Sequence, residues 1–417
     1  MRMPKITDLR VRRILDSRGN PTIEVEIETE AGWVRAAAPS GASRGKNEAV
    51  AFPEGGVKAS IEILKEQVFP KLKGREVERH EEIDRLLREL DGSPDFSKIG
   101  GNAAVAVSMA VAKAASLASG LPLYKYLNPR ASSLPFPLGN VIGGGAHAGK
   151  TTPDIQEFHV LPTGAKSFSQ AAFANAKVHK KLKGLIEKKD QLFAGGKGDE
   201  GAWAARLTSE EALELLAEAA RQVEEEEGIK ISLGLDLAAS GLWDGKSYRY
   251  SREGKVRDSG EQLDFLVGLV EKYRLLFLED PLHEEDFEGF AELTRKVGEK
   301  CIVCGDDLYV TNPSRIRKGM EMKASNAVLI KPNQVGTLTE TLQAVELTKR
   351  AGCVPVISHR SGETPDETIS HLAVGWGCPI IKTGAVGGER VAKLNELIRI
   401  EEELGERARM AELKWSS

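Results

Sequence analysis

Three acidic residues each close a short apolar run: Asp236 ends ISLGLD, Glu279 falls at the end of LLFLED, and Asp306 ends CIVCGD. NAVLIK, CVPVISH and CPIIK finish in the same way on Lys331, His359 and Lys382. One strand-end acid is as readily a loop cap or half of a salt bridge, but three in succession favour a shared task. Carboxylates gathered in one cleft repel one another, and oxygen ligands suit a hard cation such as Mg2+, which relieves that repulsion. Two lysines in the same cleft raise the cost of protonating each other, which predicts one neutral amine at about pH 7, able to act as a base. Carboxylates, a divalent cation and a base suit removal of a proton next to a substrate carboxylate, where developing charge must be neutralised. Elimination of water would also need an acid. Glu200, in the glycine-rich GKGDEG, is a candidate, although an acid in such a loop is more often a solvated turn residue.

Bringing these side chains together demands a particular scaffold. Successive endings are 43, 27, 25, 28 and 23 residues apart, the differences between positions 236, 279, 306, 331, 359 and 382. Each interval holds a strand, a helix and their loops. Parallel strands buried on both faces read as unbroken apolar runs, and in a β/α barrel their C-terminal ends ring one mouth. Thr208 with Glu211, and Ser259 with Gln262, have capping-box spacing and predict the starts of two connecting helices. Upstream, Ile23, Val25 and Ile27 alternate with glutamates in a half-buried strand pattern that continues extended through Ala36 and Ala38. Helical periodicity follows over 57–90 and 102–117. Asn-Pro, Ser-Ser and Pro-Phe-Pro between Asn128 and Pro137 punctuate the chain and divide an α+β region, 1–133, from a barrel, 134–417.

Composition excludes other classes. With 417 residues, 41% of them apolar, the chain can bury a large core, and 58 basic against 62 acidic side chains give nothing that attracts nucleic acid or an anionic membrane. Four cysteines are too few for a disulfide framework, and the start, Met-Arg-Met-Pro-Lys, has no apolar stretch of the kind a secretory signal needs. The expected location is cytoplasmic. The stretch from Ala103 to Leu123 is rich in Ala and Ser and interrupted by Lys113, so it reads as a helix buried in a soluble protein. Gly196 to Gly201 fits G-x-G-x-x-G but follows no clear strand, which argues against dinucleotide binding. Cys301 and Cys304 alternate with apolar residues and have no second pair, so they read as buried strand cysteines rather than zinc ligands. Gly143 to Gly145 mark either a tight turn near a ligand or the end of the first barrel strand.

The stretches DSRGNPT from Asp16, SGAS from Ser40, HAG from His147, QEF from Gln156, GDEG from Gly198, LEDP from Leu278, GDDLYVTNP from Gly305, SHRSGET from Ser358 and KTGA from Lys382 resemble the enolase family, phosphopyruvate hydratase. The resemblance implies an enolase-type α/β fold: an N-terminal α+β capping domain on a β/α barrel that opens with two strands and two helices, ββαα(βα)6. It implies dehydration of 2-phosphoglycerate to phosphoenolpyruvate with two Mg2+ per active site, the second arriving with substrate, in a homo-oligomer, a dimer or octamer. By the same carry-over the first Mg2+ takes Asp236, Glu279 and Asp306, and Ser43 completes the second site. Lys331 is the base and Glu200 the acid, with Glu157 supporting the acid and His147 closing over the substrate. Lys382 holds the carboxylate end, Gln156 is a further substrate-binding residue, and His359, Arg360 and Ser361 take the phosphate. A lysine base working beside Mg2+ is the established pattern of the enolase superfamily.

The chain departs from the family pattern at Arg44 and Asn47, in the shortened FPEGGVK, at Lys150 to Pro153, in AWAAR after GDEG, and at Val386 to Gly388. Two other functions share the same constellation: α-proton abstraction from a different carboxylate, and a non-catalytic binding or assembly role on the same fold.

Overall fold

The computed structural model describes residues 4–41 and 45–415. Three antiparallel strands, β1 (Asp8–Leu15), β2 (Pro21–Thr29) and β3 (Gly32–Ala37), form the first sheet. The alternation read in the sequence is realised on β2, where Ile23, Val25 and Ile27 are fully buried. Glu24 and Glu26 on the other face both reach Arg12, at 2.5 Å. The helix Gly101–Ala118 lies across β2 and β3. It is the one described helix long and apolar enough to cross a membrane, and 83% of it is buried inside the protein.

The helical periodicity read over 57–90 is realised as more than one helix. Gly56–Ile63 passes through a π turn into Phe69–Leu72, the chain leaves the helix at Gly74, with φ of +85°, and a new helix runs over His80–Asp91. Glu76 meanwhile bridges to Lys5, a tertiary pairing that local periodicity does not encode.

After the short helix Leu123–Leu127, strand β4 (Ser133–Leu134) pairs with the C-terminal β15 (Arg409–Met410). The division drawn between residues 133 and 134 falls within β4. The barrel closes from eight strands: β5 (Phe136–Gly143), β6 (Glu157–Leu161), β7 (Ser232–Asp236), β10 (Phe277–Glu279), β11 (Ile302–Gly305), β12 (Ala327–Ile330), β13 (Val354–Ser358) and β14 (Ile380–Lys382). A small hairpin, β8 (Tyr248–Tyr250) and β9 (Lys255–Arg257), lies between β7 and β10. All barrel neighbours are parallel except β6, which runs against both β5 and β7. Helices Phe168–Lys189 and Ser209–Glu227 follow β6, so the barrel does open with two strands and two helices.

The unbroken apolar runs have a direct cause. Ala327 and Leu329 of β12 belong to a cluster with Phe136, Ile302, Val356 and Ile380 that fills the ring, while Val328 and Ile330 join the larger cluster shared with the surrounding helices. Both faces are dry, so no polar residue is tolerated until the strand ends. Cys301 and Cys304 are buried thiols, as their setting suggested, and burial pushes both well up.

The Thr208–Glu211 capping box is present. The second expected box is displaced by one residue: Asp258, not Ser259, caps the helix Ser259–Tyr273, with Glu261 returning to the Asp258 backbone. Asp and Ser cap equally well, and the box closes one residue earlier because Glu261 can complete it.

Candidate active site

The strand endings converge as the spacing predicts. Asp236 and Lys382 are the last residues of β7 and β14, while Asp306, Lys331 and His359 lie just past their strands. All five line one cleft, together with His147, Gln156, Glu157, Glu200, Arg360 and Ser361. Glu279 sits beside Asp236 in strand register and is reached through Lys382. Ser43 and Arg44 lie outside the described residues.

Lys382 is the hub of the buried charge. Its Nζ is 2.7 and 2.8 Å from the two Glu279 oxygens, and 3.2 Å from both Asp236 Oδ2 and Glu157 Oε2. Burial and the neighbouring Asp236 push Glu279 well above the usual carboxylate range. Burial alone would lower Lys382, but Glu157, Glu279 and Asp236 carry it well above its ordinary value. Lys331 pairs with Asp306 Oδ2, while Gln334 Nε2 donates to Asp306 Oδ1 at 3.0 Å. Burial works against the Lys331 charge and Asp306 outweighs it, so this amine too is raised. The expectation that the two lysines lower each other is therefore reversed: Arg360 and Lys382 do disfavour the Lys331 charge, but the carboxylates win.

Asp236, Glu279 and Asp306 are all buried and stand on three adjacent strands. They do not by themselves form a compact trio, because Asp236 and Glu279 turn to Lys382 and Asp306 to Lys331. Among the described residues, Asp280, Asp306 and Asp307 do form a compact group of acids, with oxygens within 4.8 Å of one another. Asp280, at φ of +38°, accepts the backbone N–H groups of Asp306 and Asp307, at 2.8 Å each, and so fixes the turn after β11. Burial and Asp306 raise Asp307 to about 8. An all-oxygen, anionic, buried donor set at three neighbouring strand ends fits Mg2+, which demands oxygen ligands.

The opposite side of the cleft is built from loops. Glu157 opens β6 and accepts from His159 Nε2 at 2.7 Å, with His147 Nδ1 at 3.2 Å. Burial would raise Glu157, but Lys382, His147 and His159 hold it well below the carboxylate range. Glu200 accepts from Asn140 Nδ2 at 3.2 Å and lies 3.3 Å from His359 Nε2. Burial and Glu157 act to raise Glu200, and the two histidines, His359 and His147, bring it down instead. His147, Glu157 and Glu200 form the second compact group, within 4.8 Å. The run 196–201 is a loop rather than a strand-to-helix turn, as the rejection of a dinucleotide site required.

Several residues here escaped the sequence reading. Glu48 grips Arg360 through both oxygens, at 2.9 and 3.1 Å, and Asn333 Oδ1 accepts from the same guanidinium at 3.0 Å. Arg390, fully buried, donates to His359 Nδ1 at 2.7 Å and to the carbonyls of Arg360 and Ser361. Glu48 adjoins Asn47, and Asn333 and Gln334 stand two and three residues after Lys331, so proximity to a motif was the available signal.

The altered AWAAR segment has a structural use. Trp203 stacks on His179 with centroids 4.4 Å apart and donates to the His179 carbonyl at 2.7 Å, while His179 Nε2 donates to Gly201 O at 2.9 Å. These contacts anchor the turn beside Glu200. Burial lowers His179 to about 4. An unfolded imidazole titrates at about 6.5, so as pH falls from about 6.5 towards 4 the unfolded chain takes up a proton that the folded one refuses. Stability is full above that window and falls within it, by on the order of 3 kcal/mol from this group. Urea midpoints should drop more between these pH values for the wild type than for His179→Gln, and parallel curves would refute the assignment.

Comparison with known proteins agrees with this architecture. Residues 6–127 match the family model described as the enolase N-terminal domain, and 131–416 that of the enolase C-terminal TIM barrel domain. The enolase of Methanothermobacter thermautotrophicus is 54% identical over 413 residues, covering 98% of this chain and 99% of its own. The enolase of Methanosphaera stadtmanae is 54% identical over 402 residues, 96% of this chain and 97% of its own, and that of Archaeoglobus fulgidus 53% over 398 residues, 95% and 97%. With two family domains tiling it and relatives this similar along nearly its whole length, the chain belongs to the enolase family.

Proposed function

We propose that the protein is a Mg2+-dependent hydro-lyase that converts 2-phosphoglycerate to phosphoenolpyruvate. The observation that carries this reading is one cleft in which two lysines, strand-end carboxylates, a separate histidine–glutamate group and an arginine with a serine all meet, in a chain so similar to named enolases. Neither a pure assembly role nor a different carboxylate substrate has a comparable observation in its favour.

Lys331 is assigned the base. Its amine, once free of its own extra proton, takes the proton from C2 of the substrate, and the electron pair left behind becomes the C2–C3 double bond as the C3–O bond breaks. Glu200, once it carries a proton, passes it to the departing hydroxyl, which leaves as water. Glu157 and His147 adjust the charge around Glu200, and Lys382 with Gln156 orients the substrate carboxylate. Arg360, with its planar fork of donors, is suited to the phosphate, beside His359 and Ser361. Asp236, Glu279 and Asp306 would hold Mg2+, and a second ion, with Ser43 among its ligands, would join on substrate binding. Bound Mg2+ supplies positive charge against the negative charge that gathers on the substrate carboxylate. The same reading includes assembly into a dimer or larger homo-oligomer, measurable by light scattering.

The test is direct. Purified protein with 2-phosphoglycerate should generate phosphoenolpyruvate absorbance with Mg2+ and none with chelator. Absence of Mg2+-dependent product would overturn the reading.

A further inference from the structure

The segment 144–156, which carries His147, joins two antiparallel barrel strands and is closed at its base by its own backbone. Gly144 N–H donates to Gln156 O at 2.8 Å, and Gly145 N–H to Pro153 O at 2.9 Å. The limbs approach so closely that a Cβ on Gly144 would collide with the carbonyls of Pro153 and Ile155. This is also the segment in which Lys150 to Pro153 depart from the family pattern.

One side chain from elsewhere is sewn across both limbs. Arg252 lies in the turn between β8 and β9. Its Nη2 donates to Gly145 O on the outgoing limb at 2.9 Å. Its Nη1 donates on the returning limb to Thr152 O at 2.9 Å, Thr152 Oγ1 at 2.8 Å and Pro153 O at 2.7 Å. The backbone reinforces the seam, since Arg252 N–H and Glu253 N–H donate to the buried Asp154 carboxylate, each at 3.1 Å to Oδ2. A planar guanidinium with five fixed donors can bridge two limbs in this way, and a lysine ammonium cannot match the pattern. His147 sits two residues beyond Gly145, and its own carbonyl accepts from Asp199 N–H at 3.1 Å, next to Glu200.

We propose that Arg252 is a positioning residue for the reaction: it clamps the two limbs of the 144–156 segment and thereby holds His147 against Glu157 and Glu200. This rests on the dehydration reading above. Arg252 touches none of the reacting groups and acts only through the segment. Displacing a catalytic group by about 1 Å can cost roughly a hundredfold in rate.

Arg252 is itself exposed, and the buried Asp154 carboxylate keeps the backbone N–H groups of residues 252 and 253 when the side chain is replaced. Four proteins decide the matter: wild type, Arg252→Gln, His147→Ala and the double variant, assayed for kcat and KM with 2-phosphoglycerate at saturating Mg2+. Wild-type turnover must be present, and its absence sinks the dehydration reading rather than the clamp. With turnover present, Arg252→Gln should lower kcat at least tenfold in the wild-type background and less than twofold in the His147→Ala background. A general loss of folded protein would instead lower both backgrounds by the same factor. Equal losses in the two backgrounds, or a kcat for Arg252→Gln within twofold of wild type, would overturn the proposal.

Discussion

Lys331→Arg is expected to abolish most turnover, by roughly 10^3- to 10^4-fold, while leaving the fold in place. The two properties separate because Lys331 serves the structure through its charge and the proposed chemistry through its ability to lose it. In the folded protein the ammonium pairs with Asp306 where β11 and β12 end at the cleft. Arginine can keep that ion pair, but it stays protonated in proteins and so cannot receive a substrate proton. Lys331→Met would remove both properties and take from Asp306 its ion-pair partner, leaving the Gln334 amide donating to the carboxylate. Breaking a buried pair in that way costs about 3–5 kcal/mol. The two variants should therefore share a kinetic defect and differ in melting temperature. Turnover by Lys331→Arg above a tenth of wild type would remove the lysine from its assigned role.

Glu279→Gln should lose turnover by at least about a hundredfold, together with the protection that Mg2+ gives against heat. Burial and Asp236 push the Glu279 carboxyl well up, while Lys382 favours its charged form. Lys382 keeps Asp236 and Glu157 as partners after the change. What disappears is one anionic oxygen pair from the proposed cation site. A ligand present at one hundred times its Kd stabilises the native state by about 2.7 kcal/mol, so the difference should be plain in melting scans with and without Mg2+. An undiminished Mg2+ shift in Glu279→Gln would show that the ion is held elsewhere.

How far the sequence could be read depends on how local each cause is. The barrel was legible because strands such as Ala327–Ile330 are dry on both faces and admit a polar residue only where they end. The same rule delivered Asp236, Asp306, Lys331, His359 and Lys382 to the cleft. Glu157 and Glu200 obey no such rule, since one begins a reversed strand and the other sits between two helices, so Glu157 was pointed to by the resemblance and Glu200 by little more than its glycine-rich loop. The charge balance at Lys331 and Lys382 could not be foreseen from two lysines alone: it is set by carboxylates whose distances exist only after folding. Arg252 and Arg390 were invisible for the same reason, as each is tens of residues or more in sequence from the backbone it grips. The shift from Ser259 to Asp258 shows the finest limit, one residue between two equally good caps.

The reversed direction of β6 has a consequence for how such an enzyme can diverge. Because β6 descends where its neighbours climb, the rim of the barrel is made of two unlike arcs. One arc is strand termini locked into the ladder, where a one-residue insertion would drag a whole rung out of register. The other is a hairpin and an interhelical span, which can gain or lose residues and be pinned again by a single cross-stitch. Evolution can thus retailor the lid half of the pocket without disturbing the half that grips charge.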